Sequence, residues 1–203
     1  RYRIADLWHH RLEDPVRAVD IYRDILDVAP DHQPTLDALE SMVSAGLEPV
    51  AAAGVLEPVY RQLGEWPKLV SVVEVQVAHE QDPIRQVELL HMVSELWEMA
   101  LDNPVEAFKA QGRALPLDNR HEDTLAALER LGEMTDNWGQ VTQLYDVEIQ
   151  RIREENPDDV VDMALRTAQI YEVQVGDVDA AIQRYSIVVE ADPGHVQASE
   201  ALD

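Results

Sequence analysis

The sequence lacks cysteine altogether, which excludes disulfides, thiolate metal sites and cysteine nucleophiles but leaves the redox compartment open. Lysine is almost as scarce, with Lys68 and Lys109 as its two instances. No apolar stretch approaches the length needed to cross a bilayer, because charged residues interrupt every candidate. We therefore expect no membrane insertion in this segment.

The sequence has few basic residues for its length, with 16 Lys and Arg against 40 Asp and Glu and a net charge of −24. A surface of this sign repels nucleic acid and anionic membranes, so neither is expected as a partner. It would attract a basic partner. The alternative interpretation is that the acidity only keeps a long helical array soluble.

The common catalytic and cofactor motifs are also missing. No glycines have the spacing of a dinucleotide or phosphate loop, and there is no Gly-x-Ser-x-Gly, calcium loop or His-Glu-x-x-His. His121-Glu122 comes nearest to the last motif, but it is followed by Asp123, Thr124 and Leu125. We therefore expect no enzymatic activity, no cofactor and no bound metal.

The sequence does contain three copies of one long unit. The segment from Ile4 to Glu40 matches a second segment 89 residues further on, and a third after another 74 residues. The copies lie near residues 3–46, 88–133 and 162–203, with intervening hairpins between them. The matched residues are Leu7, Trp8, His32, Leu39 and Glu40, then Leu96, Trp97, His121, Leu128 and Glu129, then Ile170, Tyr171, His195, Leu202 and Asp203.

The apolar periodicity is helical throughout, as in Val19, Tyr22 and Leu26. Asp or Asn followed by Pro predicts a helix start, since the side chain caps free N–H groups and Pro needs none. The surplus of 15 residues between the first two copies, around residues 46–64, predicts one extra helix of unknown position. The predicted starts are Asp14-Pro15, Asp82-Pro83, Asn103-Pro104 and Asn156-Pro157, the last followed by Asp158 and Asp159 near the helix dipole.

These residues resemble the tetratricopeptide repeat family. In that family the second helix of a hairpin carries a small residue, an aromatic four later, an apolar residue three later and a closing Pro. The first copy has Ala18, Tyr22, Ile25 and Pro30 at these positions, and the third has Ala181, Tyr185, Val188 and Pro193. The first-helix pair of a small residue and an aromatic is present as Ala5 and Trp8, Ser94 and Trp97, and Ala168 and Tyr171.

The same resemblance extends to the turns and has clear departures. Gly64-Glu65-Trp66, Asp136-Asn137-Trp138 and Gly176-Asp177 look like the family's turn and helix start. The turn after Trp8 is one residue longer than usual, and the middle copy has Gln111 and Asn119 at the aromatic and Pro positions. The resemblance implies an all-α, right-handed superhelical α-solenoid of antiparallel helix hairpins, with about a dozen helices in a single domain over 1–203.

Several polar residues are candidates for chemical sites. His32, His121 and His195 recur at one position, which favours a structural role in the repeat over a site. His9, His10 and His91 could act as metal ligands, but solvated ring side chains are the better interpretation. A group of carboxylates could hold a cation, but it is explained by capping and solvation, and its members are Glu154, Glu155, Asp158, Asp159 and Asp162.

In proteins of this family the first helices line a concave groove that takes a peptide. Carried over to this sequence, the resemblance implies an acidic groove suited to a Lys- or Arg-bearing segment with apolar anchors. The alternative is that these positions are the solvated face of each helix. The positions are Tyr2, Asp6, His9 and His10 in the first copy, His91, Glu95, Glu98 and Met99 in the second, and Leu165, Gln169, Glu172 and Val173 in the third.

The sequence therefore predicts a non-catalytic scaffold that binds a protein or peptide segment, with the oligomeric state left open. An architectural spacer or assembly module without a ligand of its own is the alternative. Because the chain begins at Arg1 and both ends fall inside repeat units, we expect it to be part of a longer protein.

Overall fold

The computed structural model describes residues 1–10, 14–155 and 160–202, and within them the chain forms twelve α-helices and no strand. This confirms the all-α fold class and the expected number of helices. The helices are α1 (Tyr2–His10), α2 (Pro15–Leu26), α3 (Gln33–Ser44), α4 (Pro49–Leu63), α5 (Trp66–His79), α6 (Pro83–Glu95), α7 (Pro104–Ala114), α8 (Glu122–Met134), α9 (Trp138–Glu155), α10 (Val160–Ile170), α11 (Val178–Ala191) and α12 (Val196–Leu202).

The chain divides into two compact units, Arg1–Ala110 and Gln111–Asp203. Each unit has its own packing of helices joined by short turns. The prediction of a single domain over the whole chain stays a prediction. No helix in the described ranges combines the length and apolar character that a membrane span requires.

The predicted helix starts are confirmed where the structure describes them. The Asp14 side chain accepts a hydrogen bond from Arg17 N at 3.1 Å, and Asp82 accepts one from Ile84 N at 3.1 Å. Asn103 likewise accepts one from Glu106 N at 3.2 Å. Each capping residue satisfies an N–H that has no partner inside its helix. The fourth start, with Asp158 and Asp159, lies outside the described residues.

The three copies share one backbone hydrogen bond across the turn that follows the aromatic residue. The donors are Asp14 N, Asn103 N and Asp177 N, and the acceptors six residues earlier are the carbonyls of Trp8 (3.1 Å), Trp97 (2.8 Å) and Tyr171 (3.0 Å). In the second and third copies the first helix ends in a π-helical turn, Leu96–Ala100 and Tyr171–Val175. A π-helical turn accommodates one extra residue. The longer turn predicted after Trp8 includes residues 11–13, which lie outside the described residues.

A second kind of turn is shared by Gly64 and Asp136, which have φ values of 72° and 51°. Glu65 N donates to the Tyr60 carbonyl at 3.0 Å, and Asn137 N donates to the Gly132 carbonyl at 2.8 Å. In both turns a left-handed residue lets the chain satisfy a terminal helix carbonyl and reverse direction. The two predicted turns before Trp66 and Trp138 are therefore equivalent in structure.

The small residue and the aromatic of the second helix lie in the core as predicted, whereas the first-helix aromatics Trp8, Trp97 and Tyr171 are half-buried. Ala18 and Tyr22 on α2 are buried, as are Ala181 and Tyr185 on α11. In the second copy the Ser94 hydroxyl donates to the Ala107 carbonyl at 3.1 Å, so two small residues meet where the helices approach. The pattern predicts these contacts because a small side chain admits a neighbouring helix and a ring fills the space beside it.

The extra segment forms helix α4, which packs on α3 and α5 and also contacts α2. Glu40 of α3 ties these helices together. It accepts a short hydrogen bond from the Tyr60 hydroxyl on α4 and forms a 2.7 Å ion pair with Lys68 Nζ on α5. The predicted helix is thus confirmed, and its place in the first unit is decided by contacts far apart in sequence.

Candidate partner-binding site

The first-copy groove positions lie on α1, where Tyr2 packs into an aromatic cluster. Its ring centroid is 6.0 Å from that of Tyr22 and 5.6 Å from that of His32. Asp6 is half-buried on the same helix. The side chains of His9 and His10 lie outside the described residues. Tyr2 therefore has a packing role beside any role in a groove.

The second-copy positions lie on α6 and on the π-helical turn that follows it. His91 and Glu98 are half-buried, whereas Glu95 and Met99 are exposed. Helix α6 packs on α5, and α1 packs on α2. The first two sets therefore sit at different places in the first unit, and their assignment to a single groove stays a prediction.

The third-copy positions divide between two environments in the second unit. Leu165 and Gln169 line a cavity of about 610 Å³ between α8 and α10. Glu172 is exposed, but one of its oxygens accepts a hydrogen bond from the Tyr185 hydroxyl at 2.6 Å. Burial first, and then this bond, raises the pKa of Tyr185 to about 12. Glu172 thus helps to hold α11 against the end of α10.

The floor of the cavity is apolar. Leu125 of α8, Ile152 of α9 and Met163 of α10 line it, and all three side chains are buried. These helices converge because each presents an apolar stripe toward the core of the unit. The cavity is large enough for apolar side chains of a ligand.

One wall of the cavity is held by Arg166 of α10, which reaches across to α8. Its guanidinium lies 2.9 Å from Glu129 Oε1 and 3.1 Å from Glu122 Oε2. Burial lowers the pKa of Arg166, but the hydrogen bond and charges of these carboxylates outweigh it and leave the pKa raised. Arg166 therefore stays charged and fixes the separation of α8 and α10 on this side.

Glu129 also accepts a hydrogen bond from the Tyr145 hydroxyl on α9 at 3.3 Å. The same hydroxyl lies 3.3 Å from the Leu125 carbonyl oxygen. Burial, and then the charge of Glu129, raises the pKa of Tyr145 far above its ordinary value. Glu129 is the second-copy equivalent of Glu40, which likewise binds a tyrosine and a cation. The repeat therefore places a carboxylate at this junction in both units.

The rim of the cavity carries an excess of negative charge. Arg120 and Arg166 are its cations, against the carboxylates of Glu122, Glu129 and Asp162. Asp162 is exposed and forms no ion pair within the residues that the structure describes. An exposed carboxylate above an apolar floor suits a basic side chain next to an apolar one.

Two residues that line the cavity, Leu125 and Arg166, were not identified from the sequence. Leu125 matches Leu36 of the first copy, and its burial follows from the helical periodicity of α8. Arg166 lies beside the predicted Leu165, and its partner Glu129 belongs to a repeated Ala-Leu-Glu segment, residues 127–129. Periodicity alone did not show that α8 and α10 face each other.

The recurring histidines stand where helices begin, and each ring has a partner three residues further on, which supports their structural interpretation. His32 Nδ1 lies 2.8 Å from the Thr35 hydroxyl, and His121 Nδ1 lies 3.4 Å from the Thr124 hydroxyl. His195 Nδ1 accepts a hydrogen bond from Ala198 N at 3.3 Å. Each ring sits where a helix begins and has a local partner.

The other groups considered for chemistry are dispersed. Glu155 pairs with Arg151 at 2.8 Å, whereas Asp158 and Asp159 lie outside the described residues. Within the described ranges, no three His, Asp or Glu side chains are grouped so that they could hold a metal ion.

The middle copy departs from the family at two positions with different outcomes. Asn119 donates a 3.0 Å hydrogen bond to Glu148, a buried carboxylate that also pairs with Arg151. Gln111 is buried, and its Oε1 has no hydrogen-bond partner among the described residues. Asn119 has thus acquired a local partner, while Gln111 carries an uncompensated polar atom.

The helix hairpins, the paired small and aromatic positions and the two repeated turns together decide the type of fold. It is a TPR-like helical repeat. No family model matches the chain, and neither does any curated protein sequence.

Several solved structures are similar to this TPR-like chain, and three of them are described here. The crystal structure of MamA shares 17% identity over 75% of this chain and 78% of that chain, with a TM-score of 0.38. YrrB, described as a TPR protein with an unusual peptide-binding site, shares 14% over 97% and 95%, with a TM-score of 0.41. TTC0263, a thermophilic TPR protein of Thermus thermophilus, shares 15% over 89% and 95%, with a TM-score of 0.35.

Proposed function

We propose that the chain is a non-catalytic scaffold that binds a segment of a partner protein in the cavity between α8 and α10. The segment carries an apolar anchor and a neighbouring Lys or Arg. The observation that carries the proposal is the combination of an apolar floor with a rim of excess carboxylates, at a place that includes the predicted Leu165 and Gln169.

The apolar anchor is favoured by the floor of Leu125, Ile152 and Met163. Complete burial of a Leu or Met side chain gains about 1.5–3 kcal/mol before the cost of ordering the segment, so contact with this floor gains at most about that much. Gln169 on the wall offers both a donor and an acceptor to the backbone of an extended segment. These groups fix where the anchor sits.

The basic neighbour is favoured by Asp162, whose carboxylate is exposed and has no ion pair in the described part of the chain. Glu122 pairs with Arg166 through Oε2, but its side chain is 76% exposed, so its carboxylate remains accessible to an incoming cation. The net charge of −24 adds a long-range attraction that speeds the encounter with basic segments. Because this attraction is screened by salt, binding is expected to weaken as ionic strength rises.

The test uses three synthetic peptides of equal length, alternating Lys with Leu, Glu with Leu, and Lys with Ser. We expect saturable binding of the Lys-Leu peptide by fluorescence anisotropy and much weaker binding of the other two. Asp162→Lys should weaken binding of the Lys-Leu peptide about tenfold, which corresponds to roughly 1.4 kcal/mol of binding free energy. Asp179→Lys, the same charge change at an exposed position on α11, is the matched control and should have a small effect.

Methyl labelling of methionine localises the bound peptide. The signal of Met163 in the cavity floor should shift on titration, whereas that of Met42, buried in α3, should not. Equal binding of the Lys-Leu and Glu-Leu peptides, or equal losses in Asp162→Lys and Asp179→Lys, contradicts the proposal. Binding of none of the peptides favours the architectural spacer.

The groove positions of the first unit are tested by Glu95→Lys combined with Glu98→Lys. A loss of Lys-Leu binding in this variant shows that the second-copy positions also take part in binding. Unchanged binding restricts the site to the cavity of the second unit.

A further inference from the structure

A second cavity lies in the first unit, where the extra helix α4 packs beside α2. Its volume is about 270 Å³. The side chains of Leu26, Val55 and Val59 line it and are buried. Gly54 and Pro58, four residues apart on α4, also line it and are exposed. The cavity therefore combines apolar walls with exposed backbone of α4.

Pro58 lies inside α4 and leaves one backbone acceptor of that helix without its usual partner. In an α-helix the carbonyl of each residue accepts the N–H of the residue four positions later, and proline has no N–H. The Gly54 carbonyl therefore lacks a helical donor. Because this carbonyl points along the helix axis toward position 58, its oxygen lies between two residues that both line the cavity. A Cβ at Gly54 would meet no atom within 4 Å, so the space beside it is open to a ligand.

The α2 side of the cavity favours a positive charge. Asp27, at the C-terminal end of α2, lines the cavity with an exposed carboxylate that forms no hydrogen bond or ion pair within the described residues. The dipole of α2 has its negative end at the same place. Arg23 lines the cavity too, but its guanidinium is paired with Asp20 at 3.0 Å. An entering cation therefore meets an unpaired carboxylate and a carbonyl that lacks a donor.

We propose that this cavity binds an arginine side chain presented by a partner protein. A guanidinium has five N–H donors in one plane, so it can donate to the Asp27 carboxylate and to the Gly54 carbonyl together. The ammonium of lysine is more strongly hydrated, which suits it less to a cavity with apolar walls. Gln62 also lines the cavity and supplies a further acceptor oxygen. The site lies in the first unit and does not depend on the cavity between α8 and α10.

A second copy of the chain is not the occupant that the charge favours. Two chains with a net charge of −24 repel each other. The same field attracts a partner segment with a net positive charge. A separate, basic protein is therefore the occupant that complements this surface.

The test uses three peptides that differ at one central position, which is Arg, Lys or its neutral analogue citrulline, in an otherwise Ser-Gly sequence. None has an apolar side chain, so none offers the anchor proposed for the cavity between α8 and α10. Binding to the 203-residue chain is followed by the methyl signals of its valines. Val55 and Val59 in the cavity should shift saturably with the Arg peptide, whereas Val73, buried in α5, should not. The Lys peptide should bind more weakly, and the citrulline peptide should not bind.

Pro58→Ala tests the backbone acceptor, because alanine restores the N–H that binds the Gly54 carbonyl. It should weaken binding of the Arg peptide about tenfold, the effect of losing a hydrogen bond to a charged group. Since alanine is favoured inside a helix, circular dichroism should show undiminished helix content. The matched control is Pro49→Ala at the start of α4, where an N–H has no helical acceptor and binding should be unchanged.

Asp27→Asn tests the carboxylate and should weaken binding of both the Arg and the Lys peptide, again about tenfold for Arg. Asp24→Asn removes the same charge about one turn earlier on α2, at an exposed residue that does not line the cavity. This control should have a small effect. Both changed residues are exposed, so neither variant should lose helix content.

Four outcomes overturn the proposal. They are the absence of saturable shifts at Val55 and Val59, equal binding of the Arg peptide and either other peptide, equal effects of the two proline variants, and equal effects of the two aspartate variants. Shifts of Met163 in place of the two valines would assign the peptide to the cavity between α8 and α10 and overturn it as well. Self-association of the chain in sedimentation that disappears in Asp27→Asn would make a second copy the occupant.

Discussion

Arg184 of α11 and Asp146 of α9 form a two-point ion pair. Arg184 Nε donates to Asp146 Oδ1 at 2.8 Å, and Nη2 donates to Oδ2 at 2.6 Å. The same carboxylate accepts the Tyr171 hydroxyl at 2.7 Å. One carboxylate thus joins α9, the end of α10 and α11. The side chains of the pair are only 18% and 23% exposed, so water screens it little.

Arg184→Lys should lower the free energy of unfolding of the second unit by about 1–2 kcal/mol. Lysine keeps the charge but loses the planar fork that makes both hydrogen bonds and the stacking on Tyr171. Urea unfolding followed by circular dichroism measures the change.

The control for this change is Arg153→Lys, which alters the pair with Glu190 on the same two helices. That pair is 3.4 Å apart, and its side chains are 41% and 68% exposed. Arg153→Lys should therefore lower the free energy of unfolding by less than about 0.5 kcal/mol. Equal effects of the two substitutions would show that the geometry of the Arg184 pair does not matter.

Gly132→Ala should destabilise the second unit by about 1–3 kcal/mol. The added Cβ would clash with Cγ2 of Val141 on α9, and a β-branched side chain in a packed helix has little room to rotate away. Thermal unfolding provides the measurement. Gly54→Ala on α4 is the counterpart, since its Cβ would meet no atom within 4 Å. It should raise stability by about 0.5–1 kcal/mol through helix propensity.

Because positions 64 and 136 are equivalent in the two turns, exchanging Gly and Asp between them should change stability in opposite directions. Both have φ in the left-handed region, which costs a residue with a side chain roughly 1–2 kcal/mol but costs Gly nothing. Gly64→Asp should therefore lower the melting temperature, and Asp136→Gly should raise it slightly after the entropy of the unfolded glycine is counted. Two shifts of the same sign would contradict the equivalence of the turns.

Alkaline pH should unfold the chain before its arginines titrate. Burial, and then the bond to Glu172, raises the pKa of Tyr185 to about 12, and burial raises the pKa of Tyr60 and Tyr145 as well. The folded state therefore holds these phenolic protons more tightly than the unfolded chain, whose tyrosines titrate near about 10. This stabilisation is complete below about pH 10 and is lost as the pH rises toward 12.

The measurement is urea unfolding at several pH values between about 9 and 12, with tyrosinate absorbance recorded in parallel. Tyr185→Phe should make the decline with pH shallower, because it removes one of the titrating groups. A decline of unchanged slope in this variant would assign the effect to other residues.

Most of the helix pattern could be predicted because it depends on neighbours in sequence. Asp14, Asp82 and Asn103 cap helices, and Ala18 and Tyr22 lie in the core, as their spacing indicated. The extra helix was also predicted. The position of this helix, α4, against α2, α3 and α5 was not predicted, because it depends on which apolar helix faces contact one another.

The assignment of a peptide-binding groove stays a prediction. Gln169, one of its positions, lines the cavity between α8 and α10, whose opposite wall of Leu125 and Glu122 on α8 was not foreseen. Glu172, another of its positions, accepts a hydrogen bond from Tyr185. A periodic pattern identifies the exposed side of a helix, yet it does not say which neighbouring helix that side faces.

The amino-acid sequence by itself determined the helices, their caps and the register of the three copies, because hydrogen bonds and side-chain contacts between near neighbours in the chain suffice for these. The tertiary structure alone decided that Arg166 bridges α10 to α8 and that Glu40 joins α3 to α4 and α5. Both depend on residues distant in the chain, whose approach is set by how whole helix faces exclude water together.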